Sequence, residues 1–419
     1  MPPTSGAGEK VRDFYERMPY PPPLERLPES HDPEQDASRR RALFHRMWPA
    51  ARQQERQHIL IADCGTSQAA RYALRAPDAH VTAIDVSETS LRHTRALQRR
   101  HDLGNLHARR LRIEEVSALG ETFDLIVCTG VLHHLPDPDV GLRALRDVLR
   151  PQGAMQLMVY AQYGRAGIYM IREYCRLLRI GSSERDLREL GAALDVLSSD
   201  HAIANVLRHA MDFRSPDAMA DALLNPVDRA YTVPELYAWL ERCGMSFGRW
   251  VEQAPYLPQC GLLARSPHAA RLAALPEREQ HSAVELFRGT MVSHSVIAYR
   301  ADHPGEPQPI SFTDHRWLGF VPIALPWTIR VTERRSPGSV AVLINRAHTF
   351  TDLVLTVDGF EDRVLRAIDG ARTVGEILRD VVSDEHGERR ALDFLERLWR
   401  YDQIVFDAIS ARGSRSSAS

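Results

Sequence analysis

The sequence predicts an α/β fold built on a doubly wound parallel sheet, followed by a smaller second domain. The first observation is the stretch His58–Asp85, where an apolar run, a small-residue turn, a helix-compatible run and a second apolar run follow one another. Two buried strands joined by a helix form a crossover unit, and ligands bind over the carboxyl ends of its strands. The second observation is that apolar runs and helical patterns keep alternating until Tyr160. This alternation predicts five strands in a parallel arrangement.

The turn after the first predicted strand is the first candidate for ligand binding. It runs from Asp63 to Ser67 as D-C-G-T-S, and Gly65 would let the backbone approach a ligand closely. The second strand ends on Asp85, whose carboxylate could accept hydrogen bonds from both hydroxyls of a ribose. Asp63 also has a structural interpretation, because an aspartate there can cap the helical turn that follows.

The clearest predicted strand is F-D-L-I-V-C-T-G, which continues into V-L-H-H-L-P-D-P, a helix, the sequence L-R-P-Q-G and another apolar strand. His133 and His134 come where the fourth strand ends, and histidine is the natural proton acceptor near pH 7. A histidine at a helix start is also often a structural hydrogen-bonding group. Tyr160 ends the fifth strand and would point at the same edge of the sheet, and Arg165 could meet a carboxylate there.

This order of elements resembles the class I methyltransferases that use S-adenosylmethionine. The stretch His58–Asp85 is similar to motifs I and II of that family, and F-D-L-I followed by V-L-H-H-L, a helix and L-R-P-x-G is typical of its fourth and fifth strands. The family usually has G-x-G-x-G at the turn, whereas this chain has Asp63, Gly65 and Ser67 at the three glycine positions. The resemblance implies a Rossmann-like seven-stranded sheet, methyl transfer as the reaction and S-adenosyl-L-methionine as the cofactor.

The same resemblance assigns roles to particular residues. Asp85 would hold the ribose hydroxyls, Gly65 would lie near the methionine part, and the loop after the third strand would hold the adenine. In that loop Arg112 replaces the family's acid, and Glu114 could substitute for it. The predicted cofactor-binding residues are Asp63, Gly65, Ser67, Asp85, Val86, Ile113, Glu114, Cys128, Thr129 and Gly130. The predicted catalytic residues are His134, His133 and Tyr160, with His134 preferred as the base because the related motif commonly keeps a histidine there.

Several further segments surround the predicted core. The segment F-Y-E-R-M-P-Y-P, from Phe14 to Pro21, is similar to segments that precede motif I in some bacterial methyltransferases, where the arm would lie over the cofactor. A helical insert follows the fifth strand, and we interpret it as a substrate lid, with a dimerisation element as the alternative. The predicted segments are an N-terminal arm and helix (1–55), a Rossmann-like cofactor-binding core (56–161), the helical insert (162–230), the remainder of the methyltransferase domain (231–300), a linker (301–310), a second domain (311–410) and a disordered tail (411–419).

The second domain is predicted to be a small α+β, winged-helix-like domain. Its pattern gives short strands followed by helices at Phe360–Ala367, Val374–Val382 and Arg389–Arg400. The run I-D-G-A-R-T-V-G-E-I resembles the small PqqD-like domains that bind peptides in modified-peptide biosynthesis. The resemblance implies that this domain recruits a substrate or a partner, although winged helices also dimerise proteins or bind DNA.

Composition narrows the class of function. The formal net charge of −2 in 419 residues gives no general attraction to nucleic acid or to an anionic membrane. The five cysteines form no C-x-x-C pair, the N-terminus has no apolar signal core, and no run approaches the ~20 apolar residues that cross a bilayer. We therefore expect a cytoplasmic enzyme that acts on a small molecule or peptide, without metal, nucleic acid or membrane, with a homodimer as an open alternative. The other alternative is a methyltransferase-fold protein that has lost catalysis and serves as a binding module.

Overall fold

The computed structural model describes residues 6–28, 33–53, 56–209, 215–333 and 337–409. The chain divides into two compact units. The first comprises Met1–Glu29, Glu55–Phe247 and Glu285–Pro304, and the second comprises Ser30–Gln54, Gly248–Val284 and Gly305–Ser419. Each compact unit is made of separate stretches of the chain, whereas the predicted segments are contiguous. The boundaries of the predicted segments stay predictions. The tail predicted at 411–419 lies outside the described residues.

The first unit is built around an eight-stranded mixed sheet. Its strands are β1 (His58–Ala62), β2 (His80–Asp85), β3 (Leu106–Arg110), β4 (Phe123–Thr129), β5 (Leu149–Ala161), β6 (Ala230–Tyr231), β7 (Met245–Trp250) and β8 (Ser293–Arg300). The order across the sheet is β3-β2-β1-β4-β5-β8-β7, and the short β6, which the sequence did not predict, pairs with the end of β5. The strands β1 to β5 are parallel, whereas β8 is antiparallel to β5. The predicted Rossmann-like sheet is therefore confirmed, and the chain passes into the second unit within β7.

The central strands are buried over nearly their whole length. Only the first residue of β1 and of β2 and the last residue of β4 are partly exposed. Continuous runs of isoleucine, leucine and valine are typical of parallel strands that are covered on both faces. The helices of the chain are α1 (Gly6–Arg17), α2 (Pro33–Met47), α3 (Gln68–Arg75), α4 (Glu88–Arg100), α5 (Pro138–Val148), α6 (Ala166–Leu178), α7 (Glu184–Asp195), α8 (Ala204–His209), α9 (Pro216–Leu224), α10 (Val233–Arg242), α11 (Ala269–Ala273), α12 (Glu277–Arg288), α13 (Gly359–Arg366), α14 (Val374–Val381) and α15 (Glu385–Arg400).

The sequence pattern predicts helices over Ser38–Gln54 and Ala269–Arg288 and a third strand over His107–Ile113. The structure ends or divides each of these elements earlier, in two cases at a proline. The helix predicted from Ser38 to Gln54 is α2, which ends at Met47, just before Trp48 and Pro49; the residue before a proline is biased away from helical geometry. The single helix predicted over Ala269–Arg288 is α11 and α12, separated around Pro276. The third predicted strand ends early, because the chain turns into a 3₁₀ helix at Ile113–Leu119.

The predicted helical insert consists of α6 to α9, and it has an apolar core of its own. Leu187 and Leu190 of α7 and Leu223 of α9 are buried together with Ile168 of α6. Phe14 of α1 belongs to the same cluster. The insert and the N-terminal arm therefore form one packed layer of the first unit.

The second unit contains two small sheets, the helices α2, α11, α13, α14 and α15, and the part of α12 up to Val284. Its strands are β9 (Val321–Ala324), β10 (Thr328–Val331), β11 (Ala341–Asn345), β12 (Val354–Val357) and β13 (Ile404–Asp407). The strands β10, β11 and β12 form an antiparallel sheet, and β13 pairs antiparallel with β9. The pattern T-V-G-E predicts a capping box of Thr373 and Glu376, and this box is present at the start of α14. The winged-helix assignment and the PqqD-like resemblance stay predictions.

Candidate cofactor and acceptor site

The turn after β1 has the backbone geometry that its glycine predicts. Gly65 has φ +54, in the left-handed region that favours glycine. Its amide donates to Asp85 Oδ2 at 2.9 Å, and the Ser87 amide donates to Asp85 Oδ1 at 2.8 Å. Asp85 is only 4% exposed. The turn and the end of β2 therefore hold the Asp85 carboxyl group in one orientation at the carboxyl edge of the sheet.

Asp63 stands at the first of the three glycine positions and also has a left-handed backbone, with φ 61. It follows Ala62, which pairs with Ile84 in the parallel register of β1 and β2, so Asp63 and Asp85 follow paired positions of neighbouring strands. Burial raises the pKa of Asp63 to about 6. Burial, followed by the neighbouring Asp63 charge, raises the pKa of Asp85 well above its usual range. The sequence predicted both acids as cofactor contacts but did not predict that they follow paired positions of neighbouring strands.

The N-terminal arm lies over this turn. The Glu16 carboxylate accepts hydrogen bonds from the Glu88 amide at 2.8 Å and the Thr89 amide at 3.1 Å, at the start of α4. Thr66 Oγ1 donates to the Pro21 carbonyl at 2.7 Å. A Cβ atom at Gly65 would lie 2.9 Å from the backbone carbonyl oxygen of Tyr20, so only glycine fits beneath the arm.

The remaining predicted cofactor residues also lie at this edge of the sheet. Ser67 is buried and precedes α3, but its side chain makes no capping hydrogen bond. Ile113 is buried at the start of the 3₁₀ helix, and beside it Glu114 forms an ion pair with Arg112 at 3.8 Å. Arg112, which replaces the acid that the family usually has in this loop, is therefore paired with Glu114.

The end of β4 provides the last part of the predicted cofactor set. Cys128 is buried, and burial raises the pKa of its thiol above the ordinary range. Thr129 Oγ1 accepts a hydrogen bond from Gln68 Nε2 at 2.8 Å, which ties β4 to the start of α3. Gly130 has φ +84 and turns the chain out of the strand.

His133, His134 and Tyr160 form one aromatic cluster, as predicted from their positions at the ends of β4 and β5. The His133 ring centroid lies 4.2 Å from that of His134 and 3.8 Å from that of Tyr160. Neither ring nitrogen of His133 has a hydrogen-bond partner among the described residues. Burial lowers the pKa of His133 well below its usual range, so its imidazole is neutral.

His134 is held differently from His133. Its Nδ1 lies 2.6 Å from the Val227 carbonyl oxygen. A carbonyl oxygen only accepts hydrogen bonds, so Nδ1 carries the proton and Nε2 of the neutral ring has a free lone pair. Nε2 is buried and has no protein partner within the part of the chain that the structure describes.

Residues of the helical insert that were not predicted as site residues contact the tyrosines of this site. Asp221 of α9 accepts hydrogen bonds from the Tyr15 hydroxyl at 2.7 Å and the Tyr160 hydroxyl at 3.3 Å. Asn225 Nδ2 donates to the Tyr15 hydroxyl at 3.1 Å. Burial raises the pKa of both tyrosines well above the usual value, so both hydroxyls stay protonated.

Asp228 is the second acid that the insert brings to this edge. It accepts from the Tyr169 hydroxyl at 3.0 Å and from Arg165 at 3.3 Å. The Arg165 guanidinium also lies 3.4 Å above the centroid of the Tyr160 ring. The carboxylate that Arg165 was expected to meet is therefore that of Asp228. Asp221 and Asp228 lie about 60 residues along the chain from Tyr160, Arg165 and Tyr169. Neither acid lies in a recognisable motif. The only indication in the sequence was the prediction that the helical insert covers this site.

The described residues contain neither a candidate metal site nor a candidate membrane-spanning helix. No group of three histidine, cysteine, aspartate or glutamate side chains in that part of the chain is placed to hold a metal ion. Within the same ranges, every helix is too short or too polar to cross a membrane. All five cysteines are free thiols and are buried.

The sheet order, the turn at Gly65 and the acid that ends β2 are the features expected of a methyltransferase-type α/β domain. In agreement, residues 60–155 match a family described as a methyltransferase domain. An uncharacterised protein from Synechococcus sp. is 31% identical over 240 residues, which cover 55% of this chain and 57% of that protein. The ubiquinone biosynthesis O-methyltransferase of Neisseria meningitidis serogroup C is 28% identical over 98 residues, 23% of this chain and 41% of that protein. The chain thus spans about half the length of these two relatives.

Solved structures share the fold over most of the chain. PKMT2 from Rickettsia typhi superposes with a TM-score of 0.63 and 15% identity, covering 91% of this chain and 77% of that one. A second structure of PKMT2, in complex with AdoHcy, has a TM-score of 0.59 and 14% identity, covering 92% and 77% of the two chains. Identities this low show the fold alone. The family match over residues 60–155 and the shared fold agree with the predicted methyltransferase-type domain.

Proposed function

We propose that the protein transfers a methyl group from S-adenosyl-L-methionine to a small-molecule or peptide acceptor whose attacking atom carries a proton. The observation that supports this best is the orientation of His134. Its Nδ1 donates to the Val227 carbonyl oxygen, which leaves Nε2 as a buried proton acceptor at the carboxyl edge of the sheet. A base of this kind is useful when the nucleophile must lose a proton during transfer.

The residues at the ends of β1, β2 and β4 fit this cofactor. Each Asp85 oxygen accepts one backbone hydrogen bond and keeps a further acceptor site for a ribose hydroxyl. Ile113 offers an apolar surface and Glu114 an acceptor for the adenine, and the left-handed turn at Gly65 allows close approach of the methionine part. When bound, S-adenosylmethionine supplies a methyl group that is already activated by the sulfonium.

The protein's own contribution is to position the acceptor and to move one proton. His134 would take the acceptor's proton at Nε2 while its Nδ1 hydrogen bond to Val227 fixes the ring. Tyr160 is held by Asp221 on one side and by the Arg165 guanidinium over its ring, so we propose that it orients the acceptor. The insert then serves as the substrate lid, because it supplies Asp221, Asn225 and Asp228 to this edge. Holding the reactants in line supplies much of the rate enhancement in such a transfer.

We further propose that the C-terminal domain recruits the acceptor or a partner. A groove of about 450 Å³ lies within this domain, and its lining combines apolar and charged side chains. The lining residues are Leu318, Gly375, Leu378, Arg379, Val382, Ser383, Asp384, Glu385 and Glu388. An Arg379→Glu variant should raise the KM for the acceptor and leave cofactor affinity unchanged. The PqqD-like character of the domain, the homodimer alternative and the cytoplasmic location stay predictions.

The first experiment is calorimetric titration of the full-length protein with S-adenosylmethionine and with AdoHcy. It is followed by an assay of labelled methyl transfer to a panel of small molecules and peptides. Micromolar binding together with transfer to one acceptor class would support the proposal. Binding without transfer to any acceptor would not support the proposed acceptor classes, and no binding of either ligand would refute methyl transfer and favour the non-catalytic binding module.

A further inference from the structure

The N-terminal arm contacts both the proposed cofactor site and the proposed acceptor site, and the residue that joins them is Tyr15 of α1. We propose that Tyr15 is a positioning residue for methyl transfer, through which occupancy of the cofactor site fixes Asp221 and Tyr160 at the acceptor site. The inference rests on the proposed function. It goes beyond the predicted position of the arm over the cofactor, because it makes the arm the connection between the two sites.

On the cofactor side the arm is fixed by polar contacts at the ends of β1 and β2. The Thr66 hydroxyl donates to the Pro21 carbonyl oxygen at 2.7 Å, and the Ser87 hydroxyl donates to the Tyr15 carbonyl oxygen at 3.4 Å. The Ser87 amide donates to Asp85 Oδ1 at 2.8 Å. Ser87 is therefore hydrogen-bonded both to the arm and to the acid that is proposed to hold the ribose.

The residues on either side of Tyr15 attach α1 to two different parts of the first unit. The Glu16 carboxylate accepts hydrogen bonds from the amides of Glu88 and Thr89 at 2.8 and 3.1 Å and from the Thr89 hydroxyl at 2.7 Å. These contacts lie at the start of α4, where the helix dipole favours a negative charge. Phe14 is buried in the apolar core of the insert. The end of α1 is thus held by the cofactor side through Glu16 and by the insert through Phe14.

On the acceptor side the Tyr15 side chain reaches a carboxylate of the insert. Its hydroxyl donates to Asp221 Oδ1 at 2.7 Å and accepts from Asn225 Nδ2 at 3.1 Å, and Asp221 Oδ2 accepts from the Tyr160 hydroxyl at 3.3 Å. The Tyr15 ring also lies edge-on to the His134 ring, with 6.4 Å between the two centroids. Tyr15 therefore contacts the proposed base directly and meets Tyr160 through one shared carboxylate.

The shared carboxylate explains how the arm can act on the acceptor site. Asp221 is buried, and each of its oxygens has one tyrosine hydroxyl as a donor. Without the Tyr15 hydroxyl, Oδ1 would keep only the longer contact to Asn225 Nδ2 at 3.4 Å. A buried carboxylate that is short of donors is costly, so its orientation, and with it that of Tyr160, depends on Tyr15. A ligand that orders the arm thus orders the acceptor site, and the coupling acts equally in the reverse direction.

The test is hydrogen–deuterium exchange of the full-length protein with and without saturating AdoHcy, followed in peptides from the arm (14–21) and from α9. In the wild-type protein AdoHcy should slow exchange in both, in α9 by about fivefold or more, which is the lower end of typical coupling between sites. Tyr15→Phe keeps the ring and removes the hydroxyl. In this variant AdoHcy should slow exchange in the arm but not in α9.

The matched control is Tyr174→Phe, which removes a hydroxyl from the exposed side of α6 in the same insert and should keep the wild-type response of α9. A second measurement is the affinity for AdoHcy of Tyr15→Phe, Asp221→Ala and the double variant by calorimetry. Because Tyr15 acts through Asp221, the double variant should lose no more affinity than Asp221→Ala alone.

A response of α9 that persists in Tyr15→Phe would overturn the inference, because the coupling would then run through the packing of Phe14. Losses of affinity that add in the double variant would overturn it as well. If AdoHcy binds the wild-type protein and α9 does not respond, only the role of Tyr15 is refuted. If calorimetry shows no binding to the wild-type protein, the proposed function itself fails, so the two failures are distinguishable.

Discussion

Two buried polar sites, one in each compact unit, are satisfied by hydrogen bonds to different degrees. In the second unit the Asp402 carboxylate accepts from the Gln253 amide at 2.7 Å, the Ala254 amide at 2.9 Å and Arg249 at 3.0 Å. In the first unit the rings of His133 and His134 together present three buried nitrogens without a protein partner in the described part of the chain. Buried polar groups are normally hydrogen-bonded, so exceptions call for an explanation. The comparison suggests that Asp402 stabilises the fold, whereas the histidine cluster is arranged for a ligand.

The histidine cluster should give the largest effect on function. Replacing His134 with alanine removes the proposed proton acceptor, so turnover should fall by about 100- to 10,000-fold. The affinity for S-adenosylmethionine should stay within a factor of about two, because His134 has no proposed role in holding the cofactor. Single-turnover methyl transfer and calorimetry measure the two quantities. Unchanged turnover would show that His134 has only a structural role, as is proposed for Asp402.

His133→Ala is the matched control for this prediction. Both histidines are buried and share a contact with Tyr160, but only His134 has a hydrogen bond that fixes its ring. The His133 variant should therefore lose less turnover than the His134 variant. Equal losses would indicate that the cluster acts through packing.

Replacing Asp402 with alanine should give the largest effect on stability. The variant would remove the acceptor of two buried backbone amides and one of the acceptors of the Arg249 guanidinium, which should cost about 3–5 kcal/mol of unfolding free energy. Asp402→Asn keeps an acceptor oxygen and should lose clearly less. Denaturant unfolding of both variants measures the difference. Equal losses would show that the negative charge of Asp402 matters more than its hydrogen bonds.

Much of the fold was predictable from the sequence, because the parallel strands are apolar runs that local pattern identifies. The strands β1 to β5, Gly65 and Asp85 are identified by such runs and by the residues that end them. The pairing of Tyr160 with Asp221 and of Arg165 with Asp228 was not predictable. Helical periodicity fixes which residues share a face, but it does not show which distant helix an acid on that face will meet.

A substitution at Asp85 tests whether the acid that ends β2 holds the ribose. Asp85→Ala should weaken S-adenosylmethionine binding by about 10- to 100-fold, the usual loss for a hydrogen bond to a charged group. AdoHcy should lose a similar factor, because it has the same ribose. Calorimetry measures both affinities, and a thermal melt checks that the fold is kept. An affinity near that of the wild-type protein would mean that Asp85 only supports the turn, as Asp402 supports its own unit.

The smallest effect is expected at two helix N-termini that have the same capping box, a threonine at the N-cap and a glutamate three residues later. Thr232 and Glu235 form the box at the start of α10 in the first unit, and Thr373 and Glu376 form the box at the start of α14 in the second. Alanine at either threonine leaves one helix amide without its acceptor and should lower stability by about 1 kcal/mol. Differential scanning calorimetry of the two variants tests whether the compact units unfold separately. If they do, Thr232→Ala should shift one transition and Thr373→Ala the other. A common shift in both variants would show that the chain unfolds as a single cooperative unit, and stability differences would then not be attributable to one unit.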